Sequence, residues 1–274
     1  MAIGDISLTS SMRNVLVSLQ ENSSLLDRTS ERLSTGKKVN SALDNPANFF
    51  AARAHMDRAS QLDGRKDAIG EAIQTIKAAD KGVKAITSLI ETARGLLSQA
   101  RSTTDATALG DIATQYSAVL SQLDDIASDS GYKGVNLLNN DTLSVAFNED
   151  NTTNITISGF TATSAGDLAL TSPTASSQID EATEVDALEA ELNAALVTLR
   201  TESSSLSSNL AVLSARESFI TDMNNVLTEG ANKLTAADTN EEGANMLILQ
   251  TRQQLGTTSL SIASQAAQSV LRLF

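Results

Sequence analysis

LDGRKDAIGEAIQTIKAADKGVKAITSLIETARGLLSQA, residues 62–100, places apolar or small side chains at Leu62, Ile69, Ala72, Ile76, Ala79, Val83, Ile86, Ile90, Ala93, Leu97 and Ala100. Arg65 alone breaks the row. The spacings alternate between three and four, the 3.5-residue period with which a helix offers one seam to a partner helix. A shorter stripe, Phe49, Ala52, Met56 and Ala59, precedes it, and Asn45-Pro46 reads as an N-cap with proline at the first helical position. A single helix over 47–101 would be about 80 Å long at ~1.5 Å per residue. A compact globule of this chain length is only roughly 50 Å across. The spacing therefore predicts a rod.

The same period returns at both ends. Leu8, Met12, Val15, Leu19, Asn22, Leu26, Thr29 and Leu33 form a strict seam closed by Gly36, a left-handed cap residue. Met246, Leu249, Gln253, Gly256, Leu260, Ala263, Ala267, Val270 and Phe274 form another, and Gly256, Ala263 and Ala267 permit close helix approach. Thr239-Asn-Glu-Glu242 has the form of a capping box in front of it. The two terminal helices match in length and pattern, so they are expected to pair.

Between the ends, Leu109, Ile112, Tyr116, Val119, Leu123 and Ile126 predict a third helix. Val185, Leu188, Leu192, Ala195, Leu199, Leu206, Leu213, Ile220, Met223, Leu227 and Leu234 predict a long returning one, with Glu202, Asn209, Arg216 and Gly230 in its frame. Around 130–178 the period changes. Leu143–Phe147 alternates with period two, and Asn151–Asn154 makes a polar turn before Ile155-Thr-Ile157, a hairpin pattern. Thr161–Ser177, rich in Ser, Thr and Ala with Pro173, reads as a surface excursion. The expected fold is mostly α: a long antiparallel coiled-coil or helical-bundle rod with a small β-hairpin region and paired terminal helices.

Charge and composition narrow the function. The 274 residues carry 20 Lys plus Arg against 33 Asp plus Glu, a net charge of −13, which argues against a nucleic-acid binder. Residues 102–190 hold 14 acids and one base, net −13, whereas 1–101 carry +3 and 191–274 carry −3. The self-repelling middle belongs in solvent, and the weakly charged ends suit packing against copies of the chain. There is no cysteine and a single histidine, His55, which leaves no thiolate or multi-histidine metal site. Aromatic residues make up only 3%, so a ligand-lined pocket is not expected. No basic n-region or unbroken apolar stretch marks a secretory signal. The 19 uncharged residues Gln253–Leu271 include ten Ser, Thr or Gln, so membrane insertion is not expected either.

Other motifs have plain structural readings. His55 lies off the Phe49/Ala52/Met56 stripe, and no nucleophile motif accompanies it. Asp238–Gly243 begins like a calcium loop but has Leu249 where a bidentate Glu is needed. Gly36-Lys37-Lys38 lacks the upstream glycine of a phosphate loop. Asp124, Asp125 and Asp129 read as a solvated acidic face, and Asn151 and Asn154 open two N-x-Thr sequons. No catalytic, cofactor or metal residue is assigned, and the chain is not expected to be an enzyme.

Four stretches carry a resemblance. Arg32-Leu-Ser-Thr-Gly-Lys-Lys-Val-Asn-Ser-Ala-Leu-Asp-Asn45 closely resembles the amino-terminal signature of bacterial flagellins. Ser88–Ala100 is similar to their second characteristic stretch, and Tyr132–Leu138 to the start of their hairpin. Leu249–Gly256 through Ser269–Phe274 is similar to their ending. Together the resemblance spans about three quarters of the chain. It implies a structural subunit that self-assembles into the bacterial flagellar filament for swimming motility, a helical homopolymer of itself. It also implies secretion through the flagellar type III export apparatus with a chaperone, and contact with filament cap and hook-junction proteins. The expected location is the extracellular flagellum.

The resemblance implies three parts as well. Residues 1–40 with 235–274 would form an inner-tube coiled coil, with Leu8, Met12, Val15, Leu19, Leu26, Leu33, Met246, Leu249, Gly256, Leu260, Ala263, Ala267, Val270 and Phe274 in subunit packing. Residues 41–131 with 179–234 would form a helical rod packed through Ile69, Ile76, Val83, Ile90, Leu97, Leu192, Leu199, Leu213 and Ile220. Residues 132–178 would add the hairpin and an exposed surface segment; with about 40 residues here, large outer domains are missing. Family terminal helices order on assembly, so helicity is expected to rise on polymerisation; equal far-ultraviolet dichroism in monomer and polymer would count against this. A toll-like-receptor patch implied by the family matches Arg94, but its following acidic positions are Gly95 and Gln115, so poor receptor activation is expected. The competing readings are a hook–filament junction protein and a type III needle-tip or translocator protein; the latter does not explain the Arg32–Asn45 signature.

Overall fold

The computed structural model describes residues 10–173, 179 and 182–271. Five α-helices and a two-stranded sheet occur among the described residues: α1 (Ser10–Thr35), α2 (Pro46–Ala100), α3 (Ala106–Asp129), β1 (Thr142–Ala146), β2 (Asn154–Ser158), α4 (Ala182–Thr235) and α5 (Thr239–Leu271). The fold is mostly α, as the helical period dictates. Two compact units divide the chain, Met1–Asp57 with Val226–Phe274, and Arg58–Asn225. Both α2 and α4 contribute residues to each.

In Arg58–Asn225 the predicted seam of α2 is the buried row. Ile69, Ile76, Ala79, Ile86, Ile90, Ala93 and Leu97 are fully enclosed, with Leu62, Ala72, Val83 and Ala100 close behind. On α4, Leu192, Leu199, Leu213 and Ile220 are buried in the same way. The row on α3 differs from the predicted one. It runs Leu109, Ile112, Tyr116, Leu120, Leu123, Ala127, whereas Val119 and Ile126 are only half-buried. Adjacent apolar pairs at 119/120 and 126/127 satisfy either frame, and packing selects the second. Asp105 caps α3 by accepting a hydrogen bond from the Thr107 amide at 3.0 Å. Gly82 is required by close approach: a Cβ there would lie 2.5 Å from Leu138 Cδ1 and against Ser130 Oγ.

β1 and β2 pair antiparallel, with Leu143 opposite Ile157 and Val145 opposite Ile155. Val145, Ile157 and Phe147 face inward, as the period-two pattern requires. The polar breaks in the helix seams mark where the hairpin docks. Arg65, the break in α2, donates to the Glu149 carbonyl at 3.5 Å, and Arg58 pairs with the Glu149 carboxylate at 2.9 Å. Arg216, in the α4 frame, lies over the Phe147 ring at 4.9 Å.

The surface excursion predicted from Thr161 onward is corrected for its described part. Phe160, Ala162, Leu168 and Leu170 are buried, and so is Pro173. Asp124 accepts from the Ser164 amide and hydroxyl at 2.5 and 2.8 Å, Asp167 accepts from the Thr161 amide at 2.7 Å, and Ser117 donates to the Pro173 carbonyl at 2.9 Å. Residues 174–178 of that stretch lie outside the described residues.

Candidate subunit interface

In the unit that joins the two ends of the chain, α1 ends at Thr35 and Gly36 follows with φ +67°, the left-handed conformation that glycine enters without steric cost. The next residues cross to the end of α4. Lys38 and Val39 amides donate to the Thr235 carbonyl at 2.7 and 3.2 Å, and the Ala237 amide donates to the Gly36 carbonyl at 2.9 Å. α2 then begins as predicted, with Asn45 accepting from the Asn48 amide at 3.1 Å and Pro46 in the first position.

α1 and α5 run antiparallel along each other. Arg32 pairs with Glu242 at 2.9 Å, Asn22 donates to the Leu249 carbonyl at 2.9 Å and to Gln253 Oε1 at 2.8 Å, and Leu19 lies against Gly256. A Cβ on Gly256 would approach Leu19 Cδ2 to 2.6 Å, so the glycine sets the closeness of the pair at that level. Asn22, Thr29 and Glu242 are buried here together with Met12 and Leu249. Asn22 and Glu242 are thus buried with hydrogen-bond partners on the facing helix, which is the condition for burying them.

The start of α5 departs from the capping-box reading. Asp238, not Thr239, accepts the first amides, from Asn240 at 2.9 Å and Glu241 at 3.3 Å. That leaves Glu242 free to reach α1 and pair with Arg32. The Arg32–Glu242 contact was missed by sequence reasoning, because both residues also fit a solvated face and 210 positions separate them.

Of the predicted inner-tube residues, Met12 and Leu249 are buried, and Val15, Leu19, Leu26, Met246, Gly256, Leu260 and Ala263 are half-buried. Leu33 is 40% exposed. Leu8 and Phe274, and the side chains of Ala267 and Val270, lie outside the described residues. Outside the seam, Val17 and Leu25 on α1 are exposed, and α5 carries an exposed apolar row, Ile248, Leu255 and Ile262, with Leu247 beside it. Arg94 and Gly95 are exposed on α2 and Gln115 is exposed on α3; Arg94 has Glu91 beside it at 3.9 Å.

Electrostatic perturbation is modest and serves local structure. Lys133 at 3.0 Å and the Tyr132 hydroxyl at 3.0 Å hold the Glu71 carboxyl below its ordinary range, and Glu71 in turn raises Lys133. Burial, with Glu191 nearby, pushes the Tyr116 phenol up. His55 is half-buried at the α2 start. No group of three or more His, Asp or Glu that could hold a metal ion occurs among the described residues. Among them, too, no helix is long and apolar enough to cross a membrane.

Long paired terminal helices that leave apolar side chains uncovered are the architecture of a helical structural protein. The bacterial flagellin N-terminal helical region matches residues 6–142, and the bacterial flagellin C-terminal helical region matches residues 190–274. Flagellin FljN of Caulobacter vibrioides is 30% identical over 279 residues, covering 100% of this chain and 100% of that protein. FljM of the same organism is 29% identical over 277 residues with the same coverage, and a flagellin of Brucella melitensis is 26% identical over 289 residues, covering 99% of each. The chain belongs to the bacterial flagellin family, the structural subunits of the flagellar filament.

Proposed function

We propose that copies of this chain polymerise through the α1/α5 pair into the inner tube of an extracellular filament. The observation that supports this reading is the exposed apolar row Ile248, Leu255 and Ile262 on α5, with Leu247 beside it and Val17 and Leu25 exposed on α1. Fully covering one such side chain is worth about 1.5–3 kcal/mol, so the row favours packing against neighbouring copies. The inner-tube residues named above would then line subunit contacts, and the 41–131 and 179–234 segments would form the surrounding rod through Ile69, Ile76, Val83, Ile90, Leu97, Leu192, Leu199, Leu213 and Ile220. The 132–178 segment, with its acidic surroundings, would lie outside.

Export through the flagellar type III apparatus with a chaperone, and contact with cap and hook-junction proteins, follow from the same reading. So does the absence of a catalytic role. Gly95 and Gln115 beside Arg94 lack the acidic partners of a strong receptor contact, so reporter cells should respond weakly; a response equal to that of a potent flagellin would refute this part.

The deciding experiment is electron microscopy of purified chain after addition of filament seeds or a precipitating salt. Its control is the same chain lacking residues 1–40 and 235–274. Long filaments from the intact chain alone are expected. Short capped oligomers would point to a junction protein instead.

A further inference from the structure

The exposed charges of Arg58–Asn225 are segregated rather than paired. On α2, Lys77, Lys81 and Lys84 follow one another at intervals of four and three and stand in solvent, so they share one face of the helix. Lys84 pairs with Asp80 of its own helix at 2.5 Å, whereas Lys77 and Lys81 have no ion pair among the described residues. Arg200 of α4 is likewise exposed and has no ion pair among them. Lys84 and Arg200 line a shallow cleft of about 410 Å³ together with Ser203, Ser204 and Ser207. Cations with hydroxyl donors between them are the groups that receive carboxylates. On α3, Asp111, Asp125 and Asp129 are exposed, away from the buried row. Asp125 accepts from Gln122 at 3.1 Å, and none of the three meets a cation among the described residues. Asp125 and Asp129 stand four residues apart, about 6 Å along the axis, and so do Lys77 and Lys81.

We propose that the Lys77–Lys81–Lys84 face, with Arg200 beside it, receives the Asp111–Asp125–Asp129 face of α3 from a neighbouring copy of this chain. The inference rests on the filament reading and assigns the charged part of a subunit contact within it. Each copy carries −13, so copies set side by side repel unless the acids of one meet cations of the next. Residues 102–190, which include α3, hold 14 acids and a single base, so the α3 acids lack partners of their own. The same net charge repels a nucleic acid or another polyanion, which leaves a second copy as the favoured occupant. The matched four-residue interval lets two helices lying side by side close two ion pairs at once.

Three variants of the full chain decide it: Lys77→Glu with Lys81→Glu, Asp125→Lys with Asp129→Lys, and all four substitutions together. Either pair alone sets like charges face to face and should raise the concentration needed for filament growth at least about tenfold. The aspartate pair is the sharper of the two, because it reduces the net negative charge and by net charge alone would ease growth. The fourfold variant restores opposite charges across the contact and should grow near the parent concentration. All four side chains are exposed, so the denaturation midpoint of each monomer should match the parent. Growth of either pair at the parent concentration overturns the contact. So does a fourfold variant that grows no better than the pairs, since each face would then meet something other than its proposed partner. Failure of the parent chain to form filaments would instead strike the assembly reading on which the contact rests.

Discussion

The largest fully buried side chains, from Ile69 and Ile76 to Leu168 and Ile179, all belong to the unit Arg58–Asn225. Of the fourteen large apolar side chains that stand exposed among the described residues, eleven belong to the other unit, which joins Met1–Asp57 to Val226–Phe274. The two units share helical period and similar apolar spacing, so sequence pattern does not separate them. What separates them is the number of elements supplied to each seam. In Arg58–Asn225 the seams are buried together with side chains of the hairpin and of the 160–173 segment. At the chain ends α1 and α5 pair with each other, and most of the exposed apolar side chains remain there. The first unit buries most of its large apolar side chains; the second leaves many in solvent, which on the proposed reading neighbouring copies would cover.

That contrast can be broken most sharply at Leu123, which is fully buried. Leu123→Ala should cost the monomer about 2–5 kcal/mol in chemical denaturation. Leu255→Ser, on the exposed row of α5, should move the same midpoint by no more than about 0.5 kcal/mol while weakening filament growth. Equal losses in the monomer would erase the distinction. A smaller effect is expected at Gly82, where the added methyl of Gly82→Ala collides with Leu138 and Ser130. Its cost should be about 1–3 kcal/mol, read from the thermal unfolding of Arg58–Asn225.

Asn22→Ala removes the donor shared by Leu249 and Gln253 and should loosen the α1/α5 pair by about 1 kcal/mol. Amide exchange should quicken in α1 and α5 and remain unchanged in α3; uniform quickening would show that the units are not energetically separate. The smallest effect is a pH dependence of the turn at 40–44, where Asp44 accepts from the Ser41 and Asn40 amides at 2.9 and 3.0 Å. Amides of Ser41 and Asn40 hold Asp44 below its ordinary value of 3.8. A depressed carboxyl stabilises its turn above the unfolded value and loses that contribution as pH falls through the folded one. Protection of the Asn40 and Ser41 amides should therefore persist down to the ordinary carboxylate range and vanish only in stronger acid, with α1 and α5 unaffected.

Much of this was legible because a helix that must bury one face writes its period into the chain. Leu62–Ala100 was found directly, as were the helical character of both ends, the hairpin, the Asn45-Pro46 start and the family signature at Arg32–Asn45. The α3 frame was misjudged because Val119 and Leu120 are equally apolar neighbours. The described part of Thr161–Ser177 was misjudged because its Ser, Thr and Ala content hides the anchors Ala162, Leu168 and Leu170. Arg32 with Glu242 was invisible for a different reason. Local pattern reports which face of a helix is wet, and it carries no information on which distant charge will meet it.

Asn22 has one more consequence. Two helices with seven-residue repeats can slide past each other by one repeat, about 10 Å, and still set seam against seam. Asn22 would then face Gly256 and Leu260 in one direction, or Glu242 and Met246 in the other; either way it loses Gln253 and Arg32 loses Glu242. Buried polar residues of this kind fix helix alignment at some cost in stability. For a solitary protein a slipped minority would be harmless. In a lattice of identical parts, one subunit displaced by 10 Å would misplace every subunit added after it, so a pair of modest polar contacts acts as a gauge of length for the whole fibre.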